Sequence, residues 1–159
     1  MEITRLSIRN FKSIRYMELK EIDRALILVG RNNAGKSSVL HALRAVEGSY
    51  EITDSDFNET KQNIEIQISL SISKEDLQIF HKNGYVSQYK KYDLWEKDFC
   101  AKLPSYQNGK LVFTFIANKE GKKRFYDGTR KHNKYIPEIF PSIYFIGTER
   151  NLWQMQEDL

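Results

Sequence analysis

The chain has almost no cysteine, the residue whose disulfides stabilise many exported proteins. Cys100 is its one cysteine, so no disulfide can form within the chain, and a reducing cytoplasm is the expected compartment. The sequence has no apolar run long enough to cross a membrane, and residues 1 to 5 lack signal-peptide character. His41, His81 and His132 are scattered along the chain, which argues against a structural zinc site.

Proline is also scarce, at 3 residues, and no linker, repeat or low-complexity segment divides the chain. Hydrophobic residues make up 40% of it, which is enough to bury a core. Length and composition therefore predict a single domain over residues 1 to 159.

A phosphate-binding signature lies near the N-terminus. Residues 30 to 37 match the pattern G-x-x-x-x-G-K-[ST] as Gly30, Arg31, Asn32, Asn33, Ala34, Gly35, Lys36 and Ser37. The apolar stretch at 25 to 29 predicts a buried strand before this loop, and helical spacing at 39 to 46 predicts a helix after it that ends at Gly48. This order favours binding of a nucleoside triphosphate over the alternative, a glycine turn that merely contains a lysine.

The residue types in this loop suit phosphate chemistry. Gly30 and Gly35 allow the backbone to curl so that its N–H groups and the positive end of the helix surround anionic oxygens. Lys36 supplies a positive charge for the β- and γ-phosphates, and the hydroxyl of Ser37 is placed to bind Mg²⁺. A GTPase would also show D-x-x-G, and no glycine here has an aspartate three residues before it. ATP and Mg²⁺ are therefore the predicted cofactors.

The other loop residues have supporting roles. Asn32 and Asn33 tolerate the left-handed backbone of a tight loop. Arg31 has two open interpretations, contact with a phosphate or a partner, or a solvated position at the loop tip. All eight residues of the loop are predicted to bind nucleotide.

Periodicity elsewhere predicts a mostly antiparallel sheet. Residues 64 to 72 alternate strictly between apolar and polar, which is typical of a half-buried strand. Ser73 with Asp76 three residues later predicts the start of a short helix through about Lys82. The other predicted elements are a hairpin turning near residues 11 to 13, a hairpin of residues 111 to 116 and 122 to 126, and a buried strand at 143 to 146. The predicted fold is a mixed α/β P-loop NTPase with a largely antiparallel sheet around the P-loop helix.

The N-terminal sequence resembles a known class of ATPases. Residues 3 to 14, ITRLSIRNFKSI, followed by the loop as GRNNAGKSS, resemble the start of ABC-type ATPase heads of the SMC and RecF class, particularly the OLD (overcoming-lysogenisation-defect) ATP-dependent nucleases. In that class the N-F-[KR]-S element lies beside the nucleotide, so the resemblance implies nucleotide contacts for Lys12 and Ser13 and a further phosphate contact for Ser38. Residues 53 to 57 resemble an element of OLD-type heads, with a helix cap or loop turn as the equal alternative.

Two motifs of a complete head are missing from the sequence. Such heads need a hydrophobic strand ending in Asp-Glu and a signature loop offered by a second head. Residues 143 to 149 come nearest, but Gly147 stands where the Mg²⁺-binding aspartate is expected. Residues 148 to 152 instead resemble the stretch that lies at the Q-loop position of such heads, although the expected glutamine is missing. The resemblance makes Glu149 a candidate catalytic residue, together with Lys36 of the phosphate loop. The chain is thus expected to be an N-terminal half-head in which a helical arm starts at about 150 to 159, and any Toprim-type nuclease centre would lie outside it.

The resemblance implies an ATP-binding part of an OLD- or RecF-like ATPase that couples ATP binding and hydrolysis to DNA processing, in phage defence or repair. The implied partners are ATP, DNA and a second head in a homo-oligomer. No membrane association is expected. The alternative is a nucleotide-gated interaction module that binds ATP without hydrolysing it.

The positive charge of the chain is concentrated in residues 82 to 134, which hold 13 Lys and Arg against 5 Asp and Glu. Aromatic residues in this segment have the spacing of one helix face, which favours a core stripe over a base-stacking platform: Tyr85, Tyr89, Tyr92, Trp95 and Phe99. A second group is the candidate contact surface for DNA phosphates: Lys90, Lys91 and Lys97 with the hairpin cluster Lys119, Lys122, Lys123 and Arg124. A solvated basic face without a partner fits this pattern equally well.

Overall fold

A computed structural model describes residues 1 to 20 and 33 to 140, without the side chains of residues 33 to 36. Several sequence predictions therefore lie outside the described residues. They are the strand at 25 to 29, the loop residues Gly30, Arg31 and Asn32, the strand at 143 to 146, Glu149, and the helical arm.

An antiparallel sheet is the centre of the described fold. Its strands are β1 (Glu2–Phe11), β2 (Ile14–Lys20), β3 (Ile64–Ser71), β4 (Tyr106–Gln107), β5 (Lys110–Ala117) and β6 (Lys123–Tyr126). The strand order is β2-β1-β3-β5-β4, and β6 also pairs with β5. Every described pair of strands is antiparallel. The mixed α/β fold with a largely antiparallel sheet is thus confirmed.

Four helices and one 3-10 turn complete the described part. They are α1 (Asn33–Glu47), α2 (Lys74–Lys82), α3 (Tyr92–Lys102), α4 (Ile136–Ile139) and the 3-10 turn Asp54–Asp56. The helix after the phosphate loop ends as predicted, because Gly48 adopts a φ of 102°, which favours glycine. The predicted cap of α2 is also confirmed: the Asp76 N–H donates to Ser73 Oγ, and the Ser73 N–H donates to Asp76 Oδ2.

One hydrophobic cluster joins the sheet to the helices. Strand β3 lies between β1 and β5, and its apolar residues Ile64, Ile66 and Ile68 are fully buried while Gln67 between them is exposed. The strict alternation of this strand therefore places one face of the sheet in the core. Leu43 of α1 is fully buried in the same cluster, so α1 is anchored to the sheet by its apolar face.

The aromatic stripe is only partly helical, which corrects the prediction of one helix face. Helix α3 begins at Tyr92, and Tyr85 and Tyr89 precede it in irregular chain. The helix cannot extend backwards through this segment because Val86 has a φ of 70°, far from the helical region. Trp95 is fully buried within the hydrophobic core, so the core interpretation is correct for the helical part of the stripe.

Candidate nucleotide site

The first turn of α1 carries the end of the phosphate-loop motif. Helix α1 begins at Asn33, so Gly35 and Lys36 lie in its first turn and Ser37 follows directly. The first N–H groups of a helix have no partner within it and point towards its positive end, which suits bound anions. The side chain of Ser37 is half-buried and that of Ser38 is buried. The donor set expected for Mg²⁺, a serine hydroxyl with phosphate oxygens, fits this position.

The N-F-K-S element forms the turn between β1 and β2. Phe11 is the last residue of β1 and is fully buried, where it forms an isolated bridge with Phe57. Asn10 is buried beside it, and its amide donates to the carbonyl oxygens of Glu59 (3.0 Å) and Gln62 (2.8 Å). The first two residues of the element therefore fix the chain at residues 57 to 62 against the end of β1.

Lys12 is held in place through both its backbone and its side chain. Its N–H donates to the carbonyl oxygen of Asp56 at 2.6 Å, and its own carbonyl oxygen accepts from Asn58 Nδ2 at 2.9 Å. Its ammonium lies 3.2 Å from Asp56 Oδ1 and 5.1 Å from the centre of the Tyr50 ring, within the range of a cation–π contact. The backbone of Lys12 is left-handed, with a φ of 55°. Ser13, the next residue of the turn, is exposed.

Asp56 lies in the 3-10 turn of residues 54 to 56, where Thr53 and Asp56 form a capping box; the resemblance of residues 53 to 57 to an element of OLD-type heads stays a prediction. Its carboxylate accepts hydrogen bonds from the Tyr50 hydroxyl at 2.9 Å and from the Thr53 N–H at 2.9 Å. Burial raises the pKa of Asp56, but the bonds from Thr53, Tyr50 and Lys12 outweigh it and hold that pKa below its usual range. Asp56 therefore remains a carboxylate beside Lys12 at neutral pH.

A stacked pair connects this cluster to α1. The ring of His41 in α1 stacks on the Tyr50 ring with centres 4.7 Å apart. Burial lowers the pKa of His41, and the nearby charges of Lys12 and Arg44 lower it further. His41 follows Ser37 by four residues, or roughly 6 Å along the helix axis. The Tyr50 ring thus contacts both the Lys12 ammonium and His41, which lies about one turn beyond the phosphate-binding end of α1.

The structure brings Lys12 into contact with Asp56 and Tyr50, which sequence reasoning did not pair. Asp56 belonged to a stretch already recognised from the sequence, but no local spacing pattern predicts a contact between residues 44 positions apart. Tyr50 gave no signal in the sequence.

The basic hairpin is exposed at its tip. Lys119, Lys122 and Lys123 are exposed, whereas Arg124 is half-buried and donates to the carbonyl oxygen of Lys131 at 3.0 Å. A small cleft of about 30 Å³ separates the hairpin from the 3-10 turn, and Asp54, Lys119 and Lys123 are among the residues that line it. Three lysines thus remain available for an anionic partner, while Arg124 stabilises the following loop.

Within residues 1 to 20 and 33 to 140, no three His, Cys, Asp or Glu side chains come together as metal ligands. In the same part of the chain, no helix is both long and apolar enough to cross a membrane.

Comparison with known families identifies the domain. Residues 1–152 match the model of a family described as the AAA ATPase domain, which includes the phosphate loop. The chain belongs to this family. Membership in an ATPase family implies that nucleotide binding is the activity of the domain. No relative was found among the curated proteins.

Solved structures show the same fold. A chain from a study of ATP-driven dimerisation and DNA-stimulated activation of SMC ATPases is similar at 16% identity and a TM-score of 0.52, over 96% of this chain and 98% of that one. An SMC head bound to the C-terminal winged-helix domain of ScpA has 13% identity and a TM-score of 0.50, over 88% of this chain. An SMC head with coiled coil and joint from Pyrococcus yayanosii has 15% identity and a TM-score of 0.49, over 86% of this chain. This domain spans 41% of the second chain and 25% of the third. The resemblance to ABC-type heads of the SMC class is thus confirmed at the level of the fold.

Proposed function

We propose that this domain is the ATP-binding part of an OLD- or RecF-like ATPase that couples ATP binding and hydrolysis to DNA processing in phage defence or repair. The observation that carries the proposal is the arrangement around α1. The helix begins within the phosphate-loop motif, and the Tyr50 ring lies between His41 of this helix and the Lys12 ammonium that Asp56 binds. In this proposal the lysines of both motifs, Lys12 and Lys36, bind the phosphates of one nucleotide.

In this proposal each residue has a defined task. The N–H groups at the start of α1 and the Lys36 ammonium bind the phosphates, with the rest of the loop, Gly30 to Gly35, supplying the curled backbone. The Ser37 hydroxyl binds Mg²⁺, and Lys12, Ser13 and Ser38 add contacts around the phosphates. Mg²⁺ bound there would neutralise charge on the terminal phosphates.

Two heads and DNA are the proposed partners. ATP-driven dimerisation and DNA-stimulated activation are stated for the SMC ATPases with which the domain shares its fold. For this chain, the exposed lysines of the β5–β6 hairpin support an anionic partner, and DNA is the polymer that fits a cluster of flexible ammonium groups. Dimerisation through the heads would supply in trans the signature loop that this sequence lacks.

The second candidate function is a nucleotide-gated interaction module that binds ATP through the same phosphate loop without hydrolysing it. A hydrophobic strand ending in Asp-Glu in a longer sequence of the protein would favour the ATPase over this module, whereas both interpretations make the same prediction for turnover by these 159 residues. Because the sequence has no strand ending in a water-activating glutamate, we expect MgATP to bind but to be hydrolysed no faster than by the Lys36→Ala variant. Phosphate release would be followed in a coupled assay under saturating ATP. Release that depends on Lys36 would contradict this expectation and make Glu149 the first residue to substitute.

The proposed DNA surface predicts a specific dependence on salt. Replacing Lys119, Lys122 and Lys123 with glutamine should flatten the plot of log affinity against log salt by roughly 0.9 for each DNA phosphate that the variant no longer neutralises. Arg124 stays unchanged because its bond to the Lys131 carbonyl supports the fold. Fluorescence anisotropy with a short duplex of mixed sequence provides the measurement.

The matched control for this experiment removes three charges elsewhere. Lys61, Lys74 and Lys82 are exposed and lie outside the hairpin, and their replacement with glutamine changes the net charge equally. If both triple variants shift the slope by the same amount, the effect comes from net charge and the hairpin is not the contact surface. An unchanged slope in the hairpin variant leads to the same conclusion.

A further inference from the structure

We propose that Asp56 is a positioning residue that holds the Lys12 ammonium ready for the phosphates of ATP, an inference that rests on the nucleotide site proposed above. Asp56 does not belong to the phosphate loop and lies 20 residues beyond Lys36. Its contacts nevertheless reach both the backbone and the side chain of Lys12.

The carboxylate of Asp56 accepts hydrogen bonds from several donors besides Lys12. It can therefore orient the Lys12 ammonium and still leave that ammonium free to bind a phosphate. Oδ1 accepts from the Lys12 ammonium at 3.2 Å and from the Tyr50 hydroxyl at 2.9 Å. Oδ2 accepts from the Thr53 N–H at 2.9 Å, and the side chain of Asp56 is only 4% exposed. These partners fix the position of the carboxylate independently of Lys12, and the lysine is aligned against a rigid acceptor.

The ammonium of Lys12 keeps donors for a ligand. An ammonium has three N–H groups, of which Asp56 engages one, while the Tyr50 ring stabilises the charge from a second side. The Lys12 side chain is 27% exposed, unlike its buried partner. The Lys12 side chain is therefore partly accessible to solvent, and in this proposal to a phosphate of ATP.

The backbone contacts of this turn do not by themselves require a charge at Asp56. The turn at residues 10 to 13 is already fixed by the buried Asn10 amide and by the Asn58 bond to the Lys12 carbonyl. The bond from the Lys12 N–H ends on the backbone oxygen of Asp56, so it needs no carboxylate. The Asp56 carboxylate caps the 3-10 turn through the Thr53 N–H, and its ion pair with the Lys12 ammonium is the contact that uses its charge. A lysine side chain loses considerable conformational entropy when it is ordered. Because the fixed carboxylate already orders Lys12 in the free protein, less entropy is lost when the nucleotide binds.

The test is a double-mutant cycle on MgATP affinity. Asp56→Asn removes the charge while keeping the shape, and it should weaken binding about tenfold, the value of one well-placed hydrogen bond to a charged group. In a Lys12→Ala background the same substitution should have little further effect, because Asp56 acts through Lys12. Tyr50→Phe keeps the ring and removes one bond to the carboxylate, so it should weaken binding less, and again only when Lys12 is present.

Asp54→Asn is the matched control, since Asp54 is the exposed aspartate of the same 3-10 turn. Affinities are measured by calorimetric titration below the thermal unfolding temperature of each variant, so loss of stability is recorded separately from loss of binding. Equal affinity of Asp56→Asn and the unmodified chain, or an equal loss with and without Lys12, would overturn the positioning role. If the unmodified chain and Lys36→Ala bind MgATP equally, the proposed nucleotide site itself fails.

Discussion

Replacing Lys36 with alanine should remove most of the affinity of the domain for MgATP. The lysine of the G-K-S sequence supplies a point charge to the terminal phosphates, and no other residue of the phosphate loop can substitute for a flexible ammonium at that position. Removing one partner of such a pair costs about 2–5 kcal/mol, which corresponds to a loss on the order of 30- to several-thousand-fold in Kd. Calorimetric titration with ATP and Mg²⁺ measures the difference directly.

The control for this experiment is Lys61→Ala, which removes an equal charge from an exposed position elsewhere. Circular dichroism of all three proteins should be the same, because the side chain of a phosphate-loop lysine serves the ligand and not the core. Equal binding by the unmodified chain and Lys36→Ala would show that the loop does not hold the triphosphate in this protein.

Local signals were sufficient to predict most of the elements. The bounds of α2 follow from the Ser73–Asp76 capping box and the apolar spacing behind it, and the strict alternation of β3 predicts which of its residues enter the core. Both features depend on residues within a few positions of each other, so the sequence alone reveals them. The short strand β4 was missed although Asn108-Gly109 gives a recognisable two-residue turn, with φ values of 54° and 75°.

The arrangement around Lys12 could not be predicted in the same way. It depends on β1, α1 and the turn at residues 54 to 56 meeting in space, and their separation in sequence leaves no periodic trace. The helical spacing of the aromatic stripe was misleading for a related reason. Tyr85 and Tyr89 match the spacing, yet the left-handed Val86 between them sends the chain away from a helix.

The N-F-K-S element combines two tasks that the sequence motif does not separate. Asn10 and Phe11 are buried and act on the fold, the first through bonds to residues 59 and 62 and the second through the core. Lys12 is the member of this group that is partly exposed and charged. Substitutions at the first two positions should therefore lower stability, whereas substitution of Lys12 should chiefly lower nucleotide affinity.

Replacing Trp95 with alanine should lower the free energy of unfolding more than any surface substitution in the basic segment. Trp95 is fully buried, its Nε1 donates to the Tyr85 carbonyl at 2.9 Å, and its ring stacks on Phe99 with centres 4.9 Å apart. Losing a buried ring of this size costs about 3–5 kcal/mol, since a cavity remains and an acceptor loses its donor. Chemical denaturation followed by circular dichroism gives the value.

The neighbouring Leu94 provides the control for that measurement, because its side chain is 52% exposed on the same helix. Leu94→Ala should change the free energy of unfolding by about 0.5 kcal/mol or less. A base-stacking platform would give the opposite pattern, with Trp95→Ala weakening DNA binding and leaving stability unchanged. The burial of Trp95 excludes it from contact with a base unless α3 first separates from α2. The proposed contact of the basic segment with DNA would therefore use its exposed lysines, while Trp95 packs between the two helices.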